Sequence, residues 1–331
     1  MKVFITGILG HAAPHLANIL LRDGHEVHAL IRGSNGNQYS LLDVMTPKNI
    51  EKITFHYGDL KDYYSLERIF KENKYNWCFH LAAQSHPPTS FKDPVGTMKT
   101  NVVGTINLAT AIEKYNNECI ICNVSTSEVY GDECKDIGIL KENIPLKPSN
   151  PYGWSKMAAE TYIAERCKNG FIKGFNTRAF SHLAPRRGKN FSISWDAYHL
   201  ALITTGKEKT DILPVGNLQT YRVVIDARDC MNAYYLLMKN FSDEINGQAF
   251  NVCGDISTVK QMVFFTDKLI EIAGLKGKII KKIDKRVYRP IDIQIQVGDT
   301  TKLKAYTNWK PVIPIEKTLK DVYEYWRTKL S

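Results

Sequence analysis

The chain has 331 residues and a formal net charge of +10, with 44% of its residues apolar and 24% charged. That balance supports a large core, arranged as one large α/β unit or about two domains, and excludes a disordered or low-complexity chain. No apolar run nears the roughly 18–20 residues that span a bilayer, and the basic excess is dispersed outside KGKIIKKIDKRVYR at 276–289, so an anionic small molecule is expected as partner, with no membrane and no nucleic acid.

The opening MKVFITGILG has one Lys and a short apolar stretch that runs into glycines. It lacks the longer apolar core and cleavage site of a secretory leader, which makes a cytoplasmic location the expectation. KVFITG reads as a first strand, and a helical run follows through about Leu21. The turn between them has the pattern Gly7-x-x-Gly10-x-x-Ala13. Gly7 suits a tight turn, Gly10 a close approach of backbone to a pyrophosphate, and Ala13 close packing of helix on strand. The helix N-terminus then offers N–H groups to phosphates, so the turn predicts a dinucleotide site. HEVHALI is the second strand. It ends at Arg32, where an NAD site usually carries Asp or Glu for the ribose hydroxyls; a cation there suits the 2′-phosphate of NADP.

KITFHYGD is the third strand, ending at Asp59, an acceptor for an adenine amine, and YSLERIFKEN is helix-like. WCFHLAA is the fourth strand, with helix to about Tyr115. CIICNVS is the fifth. Cys119 and Cys122 flank it three apart and point to opposite faces, as buried hydrophobes rather than a metal or redox pair. Seven cysteines show no framework spacing, and no cluster has metal-ligand spacing, so no metal is expected. The strand runs into VSTSEVYG, which sets Glu128 beside the hydroxyls of Thr126 and Ser127.

A helix is expected from about Tyr152 to Cys167, with Tyr152 and Lys156 four apart on one face. A phenol ionises near pH 10, but an ammonium and a cationic nicotinamide beside it stabilise the phenolate. Tyr152 then suits removal of a sugar hydroxyl proton as hydride leaves the same carbon, with Thr126 holding that hydroxyl. FIKGFNTRAF is the sixth strand. The β-α alternation predicts a doubly wound parallel sheet with helices on both faces. After about residue 180 the pattern loosens, with helices near 226–239, 258–273 and 315–328. KGKIIKKIDKR there reads as a strand with a solvated face. His11 and His15 are expected in packing or at the surface, and His182 behind the site.

The glycine turn, LAAQSH, TNVVGT, STSEVYG, PYGWSK, PRRG, GNLQTYR and YRPIDIQIQVGDTTKLKAYTNWKP together resemble the extended short-chain dehydrogenase/reductase family over nearly the whole chain. The resemblance implies a Rossmann NADP-binding domain at 1–180. It implies a smaller nucleotide-sugar-binding lobe, mainly 181–331, interleaved with the end of the sheet domain. It places the hydroxyl-Tyr-Lys triad on Thr126, Tyr152 and Lys156, and sets Leu60, Leu81, Ala82 and Ala83 against the cofactor. Thr-Ser-Glu at 126–128 is similar to the GDP-mannose 4,6-dehydratases, as are LAAQSH, PRRGKNF and GNLQTYR. That likeness implies a GDP-sugar substrate, with Glu128 as base for the sugar C5 proton. It implies substrate contacts at His86, Ser127, Ser181, Arg187, Arg222 and Arg289. It also implies a homodimer or homotetramer, with the IRGSNGNQYS loop at a tetramer interface. Two departures stand out. Gly10-His-Ala-Ala13 replaces the usual Gly-Gln-Asp-Gly, and Phe180-Ser-His182 replaces Phe-Asn-His. YRVVIDARD and TNVVGT are closer to GDP-4-keto-6-deoxymannose reductases. A reductase, an epimerase and a non-catalytic nucleotide-sugar-binding protein therefore stand as alternatives to the dehydratase.

Overall fold

Six apolar runs become β1 (Lys2–Thr6), β2 (Glu26–Ile31), β3 (Ile53–Tyr57), β4 (Trp77–His80), β5 (Ile120–Thr126) and β6 (Lys173–Ala179). The structure is a computed structural model that describes residues 1–33, 38–287 and 292–331. A seventh strand, Ala249–Val252, pairs parallel with β6, and the sheet runs from it through β6, β5, β4, β1 and β2 to β3. Every pairing in this sheet is parallel. The seventh strand lies within the stretch where the sequence pattern loosens. It is only four residues long, AFNV, and its polar Asn251 breaks the apolar run by which a buried strand is recognised.

Alternate side chains divide the core into two layers. Val3, Ile5, Val27, Ala29 and Phe79 enter one layer, and Phe4, Leu30, Cys78 and Ile121 the other, as the two-residue strand period requires. Cys122 belongs to the first layer and Cys119 to the second. The first layer is covered by the helices Ala13–Arg22 and Ala227–Lys239, which pack on each other. The second is covered by Tyr63–Glu72, Gly104–Asn116 and Pro151–Lys168.

The rest of the C-terminal half packs the helices Ser192–Thr204, Met262–Ile272 and Ile315–Leu330 around Leu200, Leu213, Phe265, Leu269, Leu319 and Val322. The sequence reading did not anticipate Ser192–Thr204. This helix contacts both other helices and the strand Ile212–Val215, so its apolar residues are not confined to one stripe. KIIKKI does form a strand, Ile280–Ile283, parallel to Ile212–Val215. All four of its side chains are exposed, Ile280 by 60% and Ile283 by 63%. Its sequence is Ile-Lys-Lys-Ile, which puts the two isoleucines on opposite faces, so it does not produce the covered apolar face that a strand with one solvated side requires. No helix among the described residues is long and apolar enough to cross a membrane.

Candidate active site

At the C-terminal ends of β1 and β4 the chain departs to helices on opposite faces of the sheet, and the crevice opens at this switch point. The cleft has a volume of about 680 Å³. Gly7 turns out of β1 with φ +80°, and a Cβ there would lie 2.7 Å from the Ala82 backbone nitrogen. Gly10 N donates to Gly7 O at 2.9 Å, closing the loop. The helix then starts at Ala13 with Pro14 in its first turn and no capping side chain, which leaves its first N–H groups for another acceptor. Gly7, Gly10 and Ala13 all line the cleft. A turn with glycine at positions 7 and 10, followed by an uncapped helix start, fits a dinucleotide pyrophosphate.

Thr6 and His80 lock β1 to β4. The Thr6 hydroxyl accepts from Ala82 N at 3.1 Å and pairs with His80 Nδ1 at 2.7 Å. His80 Nε2 pairs with the Thr105 hydroxyl at 2.9 Å. Burial pushes the His80 imidazole down to about 3, so it stays neutral and holds the walls Leu81, Ala82 and Ala83 in place. Across the cleft, Arg32 leaves β2 exposed, and Asp59 and Leu60 follow β3. Leu60 packs onto Gly104, where a Cβ would come within 2.9 Å of it.

The helix Pro151–Lys168 starts beneath the end of β5, with Asn150 as its cap. Tyr152 N donates to the Ser90 hydroxyl at 3.0 Å. Asn101, in a π-helical turn at Lys99–Val103, accepts from Gln84 N and donates to Gln84 O and Ser155 Oγ. Ser155 Oγ in turn donates to Tyr152 O at 2.7 Å. The helix start is thus tied to the loop after β4. The sequence reading assigned nothing to Asn101 or Ser155, because their partners lie 17 and 54 residues apart in the chain.

Tyr152 and Lys156 project one turn apart and are 8% and 3% exposed. Burial pushes the Tyr152 phenol up to about 12. A hydrogen bond with Thr126 opposes this, Glu128 pushes further up, and Arg187 pulls down. Burial pushes the Lys156 ammonium down to about 8, opposed by Glu160 one turn on. Without a cofactor the pair is therefore a neutral phenol beside an ammonium at neutral pH. An added positive charge is what would bring the phenolate within reach. Thr126 caps the 3-10 turn Ser127–Tyr130, its hydroxyl accepting from Glu128 N at 3.3 Å. The Glu128 carboxylate is 9% exposed and accepts from Asn150 Nδ2 at 2.8 Å. Thr126, Ser127, Glu128, Tyr152 and Lys156 line the same cleft as the glycine turn.

Ser181 and Arg187 reach the cleft from the C-terminal half. Arg187 lies 3.1 Å from His11 Nε2 and 3.6 Å above the Phe191 ring centre. The His11 and His182 rings stack at 5.2 Å. Burial first, then Arg187, holds His11 well below the usual imidazole range and pushes His182 down to about 4. His11, expected in packing or at the surface, is thus a wall of the cleft, and nothing in the spacing of the first loop marks it as such. Gln296, from the strand Ile295–Gln296, also lines the cleft and went unassigned in the sequence reading.

Two of the expected substrate contacts, His86 and Arg222, are not among the residues that line the cleft. His86 turns to the Thr89 hydroxyl and the Asn190 carbonyl rather than lining the cleft. Arg222 is buried in the C-terminal half, where it donates to the carbonyls of Tyr221 and Ile293 and faces Asp292. Its side chain is consumed by the loop it stabilises. Arg289 lies outside the described residues. Among the described residues no group of three His, Cys, Asp or Glu side chains is disposed to hold a metal ion.

A family model described as GDP-mannose 4,6 dehydratase matches residues 4–322. GDP-mannose 4,6 dehydratase 1 of Arabidopsis thaliana is 32% identical over 324 residues, covering 96% of this chain and 87% of its own length. The Homo sapiens GDP-mannose 4,6 dehydratase is 30% identical over 338 residues, covering 96% and 89%. The solved structure of RMD from Pseudomonas aeruginosa complexed with NADPH has a TM-score of 0.80 to this chain at 24% identity, with 99% of each chain covered. At that identity the likeness is one of fold.

Proposed function

This chain belongs to the GDP-mannose 4,6-dehydratase family, and on that premise we propose that it converts a GDP-hexose, GDP-mannose or a near relative, to the 4-keto-6-deoxy sugar with bound NADP. The observation that carries the reading is Glu128. Its carboxylate stands in one cleft with Thr126, Tyr152 and Lys156, and oxidation of an alcohol needs only those three. A carboxylate is added where a carbon acid must be deprotonated.

The bound nicotinamide supplies the acceptor for hydride from sugar C4 and returns that hydride to C6. Tyr152 takes the O4 proton, with Lys156 beside it and Thr126 holding the hydroxyl. The new ketone acidifies the C5 proton, which Glu128 removes. Hydroxide leaves C6 and departs as water with a proton delivered from Glu128. C5 then takes up one proton while Tyr152 gives up the one it took from O4, so the only net change is loss of one water. Gly7, Gly10 and Ala13 seat the pyrophosphate. Asp59 faces the adenine, Leu60, Leu81, Ala82 and Ala83 form the walls, and Arg32 receives the 2′-phosphate. Ser127, Ser181 and Arg187 face the GDP-sugar.

Incubation with GDP-mannose, NADP and no reductant tests the reading: a 4-keto product supports it. Absence of that product, with NADPH consumed by a 4-keto sugar, would replace it with a reductase. Release of an epimer would replace it with an epimerase. Titration with both dinucleotides tests the cofactor, and NAD binding as tight as NADP would refute the role of Arg32. The adjoining helices Pro94–Met98 and Pro151–Lys168 expose Val95 by 62% and Trp154 by 53%. This apolar face is the one we assign to a second copy in a homodimer.

A further inference from the structure

Asn150 is 6% exposed, and both ends of its amide are used. Its Oδ1 accepts from Gly153 N at 2.8 Å and its Nδ2 donates to Glu128 Oε2 at 2.8 Å. The Gly153 N–H can only donate, which fixes the amide orientation and turns the NH2 toward the carboxylate. Capping the helix needs only the oxygen, and Ser or Asp would supply it equally well. The nitrogen end has no capping task; its acceptor is Glu128. The same two elements also meet through backbone, since a Cβ on Gly153 would lie 2.7 Å from Glu128 O. The helix start that carries Tyr152 and the turn that carries Glu128 are therefore clamped together, with Asn150 as the side-chain link.

We propose that Asn150 is a positioning residue for Glu128: its amide holds the carboxylate as an acceptor at a fixed offset from Tyr152, so that one sugar ring meets the phenol at O4 and the carboxylate at C5. The inference rests on the dehydratase reading and deepens it. The NH2 group gives the carboxylate a donor to bond, whereas a carboxylate in its place would leave two acceptors facing each other.

Two variants separate this role from capping. Asn150→Ser and Asn150→Asp both keep an oxygen for Gly153 N, and only the wild type has the donor. The N150S enzyme is expected to oxidise C4 normally, seen as reduction of bound cofactor in a single turnover, with KM for GDP-mannose within about twofold. Its kcat for dehydration should fall about 10–100-fold, the scale of a misplaced catalytic group. N150D should fall further at neutral pH, because two carboxylates would then face each other with no donor between them. Wild-type kcat in both variants would overturn the proposal and leave Asn150 a cap. A second measurement needs no turnover. With glutamate labelled at the side-chain carboxyl with carbon-13, the resonance missing in E128Q reports Glu128. Its chemical shift should move in N150S and N150D relative to the wild type at neutral pH, and an unchanged resonance in both would refute the clamp. If wild-type protein leaves GDP-mannose untouched, the dehydratase reading fails while this measurement still decides on Asn150.

Discussion

Replacing Gly7 by Ala tests whether the cleft depends on close contact between the ends of β1 and β4. An alanine held at φ +80° costs about 1–2 kcal/mol for the left-handed backbone. The new Cβ would lie 2.7 Å from Ala82 N and 2.9 Å from Ala82 Cα. Relief must come from backbone, not a flexible side chain, and overpacking of that kind costs about 1–3 kcal/mol. Parting the strands also stretches the 3.1 Å bond from Ala82 N to the Thr6 hydroxyl, worth about 1 kcal/mol net. The sum, about 3–6 kcal/mol, is a large share of a typical stability of about 5–15 kcal/mol. Gly24 supplies the control. It has φ +78°, and a Cβ there would meet nothing within 4 Å, so Gly24→Ala carries only the backbone cost of about 1–2 kcal/mol. Urea unfolding of the two variants should separate them by about 2–4 kcal/mol. Dinucleotide titration should show at least about tenfold weaker binding for G7A, the equivalent of roughly 1.4 kcal/mol, and wild-type affinity for G24A. A G7A protein as stable as G24A, or one that binds the dinucleotide normally, would refute the close-contact argument.

Glu128→Gln keeps the size of the side chain and an oxygen for Asn150. It should lower dehydration about 10²–10⁴-fold while C4 oxidation remains visible as reduced bound cofactor; full dehydratase activity would remove Glu128 from the mechanism. His80 gives a pH dependence. Its folded value, about 3, lies below the unfolded value of roughly 6.5. Its contribution is therefore fully present above pH 6.5 and is lost as the unfolded chain takes up a proton that the native state refuses. By pH 5 the loss from this residue is about 2 kcal/mol. Urea midpoints at pH 7 and pH 5 should show it, and His80→Asn should flatten the dependence by that amount; an equal slope in the variant would contradict the neutral His80 bridge. Trp154→Glu should convert a dimer to monomers by sedimentation, and a wild-type monomer would exclude the interface assigned to that helix face.

The local motifs of the site were legible because each is written in neighbouring residues. The glycine turn follows a strand and precedes a helix, and Tyr152 and Lys156 share a helix face through the four-residue period. Thr126 ends a strand and Glu128 lies two residues beyond it. Six of the seven strands announce themselves as apolar runs, since a parallel sheet is covered on both faces. AFNV is too short and too polar for such a signal. The helix Ser192–Thr204 is contacted on several sides and lacks a single stripe.

The tertiary structure decided which charged and polar side chains reach the cleft. Arg222 and His86 carry the right chemistry, but their bonds to Ile293 O and Asn190 O hold them elsewhere. His11 is expected in packing or at the surface, yet the fold brings Arg187, 176 residues away, to its ring. Asn150 directly precedes the PYGWSK motif, whereas its bond to Glu128 joins two elements that meet only in the folded chain. Residue types and their periods fix what each segment can form. Burial, and the choice of partner for each hydrogen-bonding group, depends on segments far apart in sequence, and those are brought together only by packing on the sheet.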